Sequence, residues 1–180
     1  METDRRERRN LAAQTVMPAA LSELIEYAST CLKFLAQFHP HEYGLLTATL
    51  NLPVPAVPSE SILALKECIE FADKSVADIV ADLLSKIQIQ QSRLVVIAQR
   101  VREPEKIITR MNINTYVIDA LEVHARVSKL FPYARRDTQA GPMVPTIDDI
   151  RQSARLCDVD EAGAGISEQI DRWRPNLERL

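Results

Sequence analysis

The chain lacks the residue patterns that assign most protein chemistries. Only four glycines and three cysteines occur in its 180 residues. Cys31, Cys68 and Cys157 stand far apart, with neither a CxxC pair nor the ligand spacing of a zinc site. An odd number of cysteines in a chain of this length argues against a disulfide framework and indicates a reducing, cytoplasmic setting.

Long apolar runs and an excess of one charge sign are also missing. The longest apolar runs, such as LVVIA at 94–98, are far shorter than the ~20 residues that cross a bilayer. METDRRERRN is followed by no apolar segment, so it does not resemble a signal peptide. We therefore expect contact with a membrane only through a segment that this sequence does not contain. The net charge of −3 gives no basic surface for nucleic acid, and no such partner is expected.

Several catalytic patterns can be excluded by their spacing. A di-iron bundle needs Glu-x-x-His pairs, and a helical zinc peptidase needs His-Glu-x-x-His, but neither pattern occurs. The GAG sequence at 163–165 is too short for a phosphate-binding loop and has no Lys-Ser/Thr after it. The sequence thus predicts no catalytic residue and no cofactor.

One short stretch, FHPHEYG, gathers potential metal ligands. His39, His41 and Glu42 are residue types that bind zinc or a similar ion. The stretch lacks a known metal-ligand spacing, however, and Pro40 equally fits the end of a helix. A metal-dependent enzyme using these three residues is the alternative hypothesis for function. The third histidine, His124, follows an apolar helix face and is expected to be a partly buried, hydrogen-bonded core residue.

The spacing of apolar residues predicts an all-α fold. Prolines gather at 40–58 and 132–145, and helical periodicity fills most of the chain between them. We predict one domain, residues 1–180, built as an antiparallel bundle of three long helices with short helices and Pro-rich connectors. The long helices are expected near residues 4–38, 73–102 and 104–130. Residues 1–17 are expected to form a projecting charged helix, and 159–180 a loosely packed tail.

Local signals place the shorter elements. Ser59 is predicted to cap a helix ending near Ala72, and Thr146 with Asp149 forms a capping-box pattern for a helix to about Cys157. A last short helix is expected to hold Trp173. The segment GLLTATLNL could form a strand, but no second strand is evident to pair with it, so a packed extended segment is expected.

The second long helix carries the clearest pattern of the sequence. A heptad stripe with 4-3-4-3 spacing consists of Val76, Val80, Leu83, Ile87, Gln90, Leu94, Ile97 and Val101. Its one polar member, Gln90, either fixes the register of a two-fold dimer or bonds locally inside a monomeric core, with Asn112 and Asn114 as candidate partners. We favour the dimer, because the first helix is longer than the bundle needs.

A second candidate contact region lies at the N-terminus. Arg5, Arg6, Arg8 and Arg9 form the basic run RRERR, which could contact a partner or an anionic surface. Neighbouring acidic residues nearly balance these charges, so a solvated helix start explains the run equally well.

The first half of the chain also bears a resemblance. The run RRERRNLAAQTVMPAALSELIEYA, followed by ALKECIEFAD and LLSKIQIQQSRL, resembles uncharacterised bacterial proteins in which a charged helix follows a membrane span. In those proteins, the charged helix leads into a small helical cytoplasmic domain. The resemblance implies a bacterial cytoplasm, at the inner face of the membrane. With the absent catalytic patterns, it predicts a non-enzymatic helical module that acts by protein contact, with another protein or with itself.

Overall fold

The computed structural model of the chain is dominated by helices, which confirms the all-α class. It describes residues 2–40, 46–48, 53–101, 103, 108–137, 144–159 and 165–174. The helices are α1 Glu2–Leu35, α2 Ser59–Phe71, α3 Lys74–Val101, α4 Arg110–Ala134, α5 Ile147–Leu156 and α6 Ile166–Arg172. Within the described part of the chain, no helix combines the length and the apolar character that crossing a membrane requires.

The first helix continues through Pro18, as predicted for a continuous helix at this position. Its buried face includes Met17, Leu21 and Leu24. The hydroxyl of Ser22 donates a hydrogen bond to the Pro18 carbonyl at 2.9 Å. The helix ends at Leu35 rather than at Phe38, because Phe38 already belongs to an extended segment.

α1 and α3 each pack against α2 and α4, and α5 and α6 pack against α4. The central position of α4 is visible in its burial, since every residue from Leu121 to Val127 is buried. Such a helix has no wide solvent face, so its polar side chains must find partners inside the protein.

Two short strands correct the prediction for the first connector. β1 (Phe38–Pro40) pairs antiparallel with β2 (Leu46–Ala48), so that Phe38 lies opposite Ala48 and Pro40 opposite Leu46. The segment GLLTATLNL therefore does contribute a strand. Its partner comes from the residues that follow α1, of which helical periodicity had assigned Phe38 to the end of the helix.

Two helices begin at other residues than the sequence predicts. Ser59 is the first residue of α2 and not its cap, since the N-cap is Pro58 and makes no side-chain cap bond. α4 begins at Arg110 instead of Pro104, because Thr109 and Asn112 form a capping box there. The helix also continues beyond the predicted end at 130, to Ala134.

Two further expectations for α4 and α5 can be compared with the structure. Met111 lies at helical spacing from the buried Ile118 but is itself 71% exposed, because it lies in the first turn of α4. The predicted capping box of Thr146 and Asp149 is confirmed at the start of α5. Hydrogen bonds from Lys129 and Thr146 outweigh the effect of burial and lower the pKa of Asp149.

Candidate functional site

Of the three predicted metal ligands, His39 belongs to the residues that the structure describes. His39 lies in β1, with its backbone opposite Thr47. His41 and Glu42 lie outside the described residues. Among the residues that the structure describes, no group of three or more His, Cys, Asp or Glu side chains could hold a metal ion.

The basic run lies on α1, where two of its arginines contact side chains of the same chain. Arg8 forms an ion pair with Asp4 at 2.9 Å, one helical turn away. The Arg9 guanidinium carbon lies 5.2 Å from the centre of the Phe71 ring, within the range of a cation–π contact. Arg5 is exposed, and Arg6 lies on the same helix. The contacts of Arg8 and Arg9 are those of a surface helix that packs on α2.

Gln90 is only 1% exposed, as its place in the heptad stripe predicts. Its amide Nε2 donates a hydrogen bond to the backbone carbonyl of Tyr116 at 3.2 Å. Its Oε1 is buried and has no hydrogen-bond partner among the described residues. Asn112, one candidate partner, accepts hydrogen bonds from the Thr109 backbone and hydroxyl. Gln90 therefore contacts α4 of its own chain.

Three charged side chains in the middle of α3 are turned toward α4. Ion pairs join the two helices at three levels: Asp82–Arg126 at 2.6 Å, Lys86–Glu122 at 3.2 Å, and Arg93–Asp119. Burial raises the pKa of Asp119, and the Arg93 guanidinium acts in the opposite direction. As residue numbers rise along α3 they fall along α4, from which it follows that the two helices are antiparallel.

The middle of this interface contains a buried carboxylate. Glu122 accepts hydrogen bonds from Arg126 Nε at 2.8 Å and from the indole Nε1 of Trp173 at 3.2 Å. Lys86 Nζ lies 3.3 Å from the same Oε2 that the indole contacts. Because both cations offset the carboxylate, the cluster has the character of a satisfied structural network rather than of a reactive group.

The outward face of α3 has the opposite character. Every exposed residue of α3 between positions 81 and 99 is uncharged: Ala81, Ser85, Gln88, Ile89, Ser92, Val95, Val96 and Gln99. We call this set the uncharged face. The chain as a whole is 26% charged, and the charged residues within 81–99 are those that pair with α4. An exposed helix face 19 residues long would normally be charged, because charged side chains are mostly exposed.

An apolar groove borders the uncharged face, between α2 and α3. Its volume is about 680 Å³. Most of its lining is uncharged, and Lys66 of α2 is the one charged residue among those that line it: Val57, Ser59, Ile62, Leu63, Lys66, Leu84, Ile87, Gln88, Gln91 and Ser92. The side chain of Leu63 is 61% exposed. An exposed leucine beside an uncharged helix face is the type of surface that protein partners cover.

Sequence reasoning missed this face, although a signal for it is present. Most of its residues follow a second stripe with 4-3-4-3-4 spacing, which we call the outer stripe: Ala81, Ser85, Gln88, Ser92, Val95 and Gln99. Only one member is a large apolar residue, so a search for apolar periodicity passes over it. The signal is the absence of charge at helical spacing.

Comparison with known proteins adds no assignment to this surface. No protein-family model, no curated protein and no solved structure matches the chain.

Proposed function

We propose that this protein is a non-enzymatic helical interaction module of a bacterial cytoplasm, and that it acts through the uncharged face of α3 and the adjoining groove. The observation that carries the proposal is the lack of any charged side chain among the exposed residues of α3 from 81 to 99. Charged residues are depleted in the centre of protein interfaces, where they would have to lose their water.

The partner we propose is a second copy of the chain. An uncharged face offers no charge pattern by which a different partner could be selected, whereas a second copy presents a surface that is equally free of charge. A two-fold dimer brings the same patch of each subunit together, so both copies of Leu63 and of the groove would be covered at once. We thus keep the dimer that was expected from the sequence, but we place its interface on the outer stripe instead of at Gln90.

We further infer that the three long helices form an antiparallel bundle with α2 on one side. The ion pairs between α3 and α4 support the antiparallel direction of these two long helices, and the order of contacts between α1 and α2 supports the position of α2. The Cys68 thiol lies 3.7 Å from the Ala13 carbonyl, and Ser61 donates to Glu23 farther along α1. Residue numbers rise along α1 as they fall along α2. The short α2 covers α3 only in part, which leaves the uncharged face open.

The cytoplasmic location is supported by the cysteines and by the resemblance of the first half of the chain. Cys31 and Cys68 are buried, and burial raises the pKa of the Cys31 thiol to about 12 and that of Cys68 to about 11. Such thiols are protonated at neutral pH and pack as small apolar groups. From the resemblance we infer that the module acts at the inner face of a bacterial membrane.

Sedimentation equilibrium tests the proposal with the intact 20.3 kDa chain. We expect the mass of a dimer at tens of micromolar. Ser92→Lys places a charge in the middle of the uncharged face and should convert the protein to a monomer. Gln152→Lys adds the same charge at an exposed position of α5 and should leave the dimer intact.

Other outcomes would contradict the proposal. If the wild-type protein sediments as a monomer at these concentrations, the proposed self-association is wrong. If Ser92→Lys and Gln152→Lys dissociate the dimer equally, the uncharged face is not the interface. Stoichiometric zinc in the purified protein, lost when His39 and His41 are both replaced by alanine, would favour the alternative metal-dependent enzyme.

A further inference from the structure

The outer stripe is self-complementary in one orientation, and this deepens the proposed function on which it rests. We propose that two copies pair through antiparallel α3 helices about a two-fold axis level with residue 90. In this register, the six positions of the outer stripe pair across the axis as Ala81 with Gln99, Ser85 with Val95, and Gln88 with Ser92.

Side-chain size supports this register. Each of the three pairs joins a smaller residue to a larger one, so that the helices can approach closely along the whole stripe. Parallel pairing in register would instead place each residue against its own copy. Gln99 would then meet Gln99 while Ala81 met Ala81, which crowds one end of the stripe and leaves space at the other.

Hydrogen bonding supports the same register at the centre of the stripe. The Gln88 amide can donate to the Ser92 hydroxyl of the other copy, and the two-fold axis forms this bond twice. Ser92 Oγ already donates to the Gln88 carbonyl of its own helix at 2.9 Å, which leaves the oxygen free to accept. Neither residue introduces a charge that would have to lose its water.

The length of the stripe is sufficient for specific packing. From Ala81 to Gln99 the helix rises about 27 Å at ~1.5 Å per residue, which is more than two heptads. The 4-3-4-3-4 spacing is that of helices which pack at a small crossing angle. A second helix laid on this stripe would also contact Leu63 of α2, because Gln88, Ser92 and Leu63 line one groove.

Disulfide cross-linking distinguishes the orientations. Ser85→Cys and Val95→Cys are prepared separately in a chain that also carries Cys157→Ser, since Cys157 is the cysteine that is not fully buried. In the proposed register, residue 85 lies opposite residue 95 of the second copy. The two copies of residue 85 are separated by about 15 Å along the helices, whereas a disulfide requires Cα atoms within about 7 Å.

We therefore expect an equimolar mixture of the two variants to form a covalent dimer on mild oxidation, while each variant alone forms little. Self-cross-linking of Ser85→Cys alone, with no covalent dimer between the two different variants in the mixture, would overturn the antiparallel register in favour of parallel pairing. Absence of all cross-links in a protein that sediments as a dimer would overturn the register while self-association stands. A monomeric wild-type protein would overturn the proposed function itself.

Discussion

On α4, Arg126 donates through Nε to Oε1 of Glu122 at 2.8 Å, and both side chains are almost completely buried. The residues are one helical turn apart, which brings their side chains to the same face of the helix. Arg126 also reaches Asp82 of α3, and the indole of Trp173 contacts the other oxygen of Glu122. The pair therefore connects α3, α4 and the segment after α6.

The first prediction is that Arg126→Met strongly destabilises the fold. The change keeps a long apolar stem but removes a cation from a buried carboxylate. Breaking one partner of a buried ion pair lowers the free energy of unfolding by about 3–5 kcal/mol. Since Lys86 remains beside Glu122, we expect a loss near the lower end of this range. Urea unfolding followed by circular dichroism measures it.

Arg8→Met is the matched control, because Arg8 also pairs with an acidic residue one turn away. That pair is exposed, and its loss should lower the free energy of unfolding by at most about 0.5 kcal/mol. Equally small losses in the two variants would contradict the buried position of Arg126.

The second prediction compares two adjacent glutamines of α3. Gln90→Leu should raise the free energy of unfolding by roughly 1 kcal/mol, since removal of the buried acceptor Oε1, which has no described partner, outweighs loss of the hydrogen bond to the Tyr116 carbonyl. Leucine also fits the apolar residues of the heptad stripe. Gln91→Leu should destabilise instead, because Gln91 accepts a hydrogen bond from the buried hydroxyl of Tyr27 at 3.0 Å.

The same urea titrations measure both variants. Gln90→Leu should also leave the sedimenting mass unchanged, since Gln90 contacts α4 of its own chain. If this variant became monomeric while the wild type was a dimer, Gln90 would be part of the interface between copies, and the proposed outer face would be wrong.

The sequence predicted the features that depend on local periodicity. Seven of the eight heptad-stripe positions are buried, and the eighth, Val101, packs against the core. Apolar residues at helical spacing fix one face of a helix without reference to the rest of the chain. The capping box at Thr146 was also predictable, because its two side chains bond within four residues.

The features that were missed depend on distant parts of the chain. β2 could not be predicted from its own residues, because its partner strand comes from the residues after α1 and strand pairing is not a local property. The partner of Gln90 is a backbone carbonyl at Tyr116, which no side-chain pattern can indicate. The uncharged face can be recognised only once the structure shows that Lys86 and Arg93 form ion pairs with α4 and so leave the exposed side of α3 without charge.

The third prediction concerns pH and His124. Its Nδ1 lies 2.9 Å from the Ser153 hydroxyl in the interface between α4 and α5, and burial lowers the pKa of the imidazole. In the unfolded chain, histidine has a pKa of about 6.5. As the pH falls below about 6.5, the unfolded state therefore binds a proton that the folded state does not. The free energy of unfolding should fall with a slope of up to about 1.4 kcal/mol per pH unit, until the folded-state pKa is reached.

The measurement is urea unfolding between pH 5 and pH 8, on the wild type and on His124→Gln. Glutamine keeps a polar side chain that can bond to Ser153 but does not titrate, so the difference between the two curves isolates the imidazole. The raised pKa of Asp119 acts in the opposite sense, because the folded state then takes up a proton first, and this contribution is common to both proteins. We expect the wild type to lose stability relative to His124→Gln as the pH is lowered through 6.5. Parallel curves would mean that His124 becomes protonated as readily in the folded protein as in the unfolded chain.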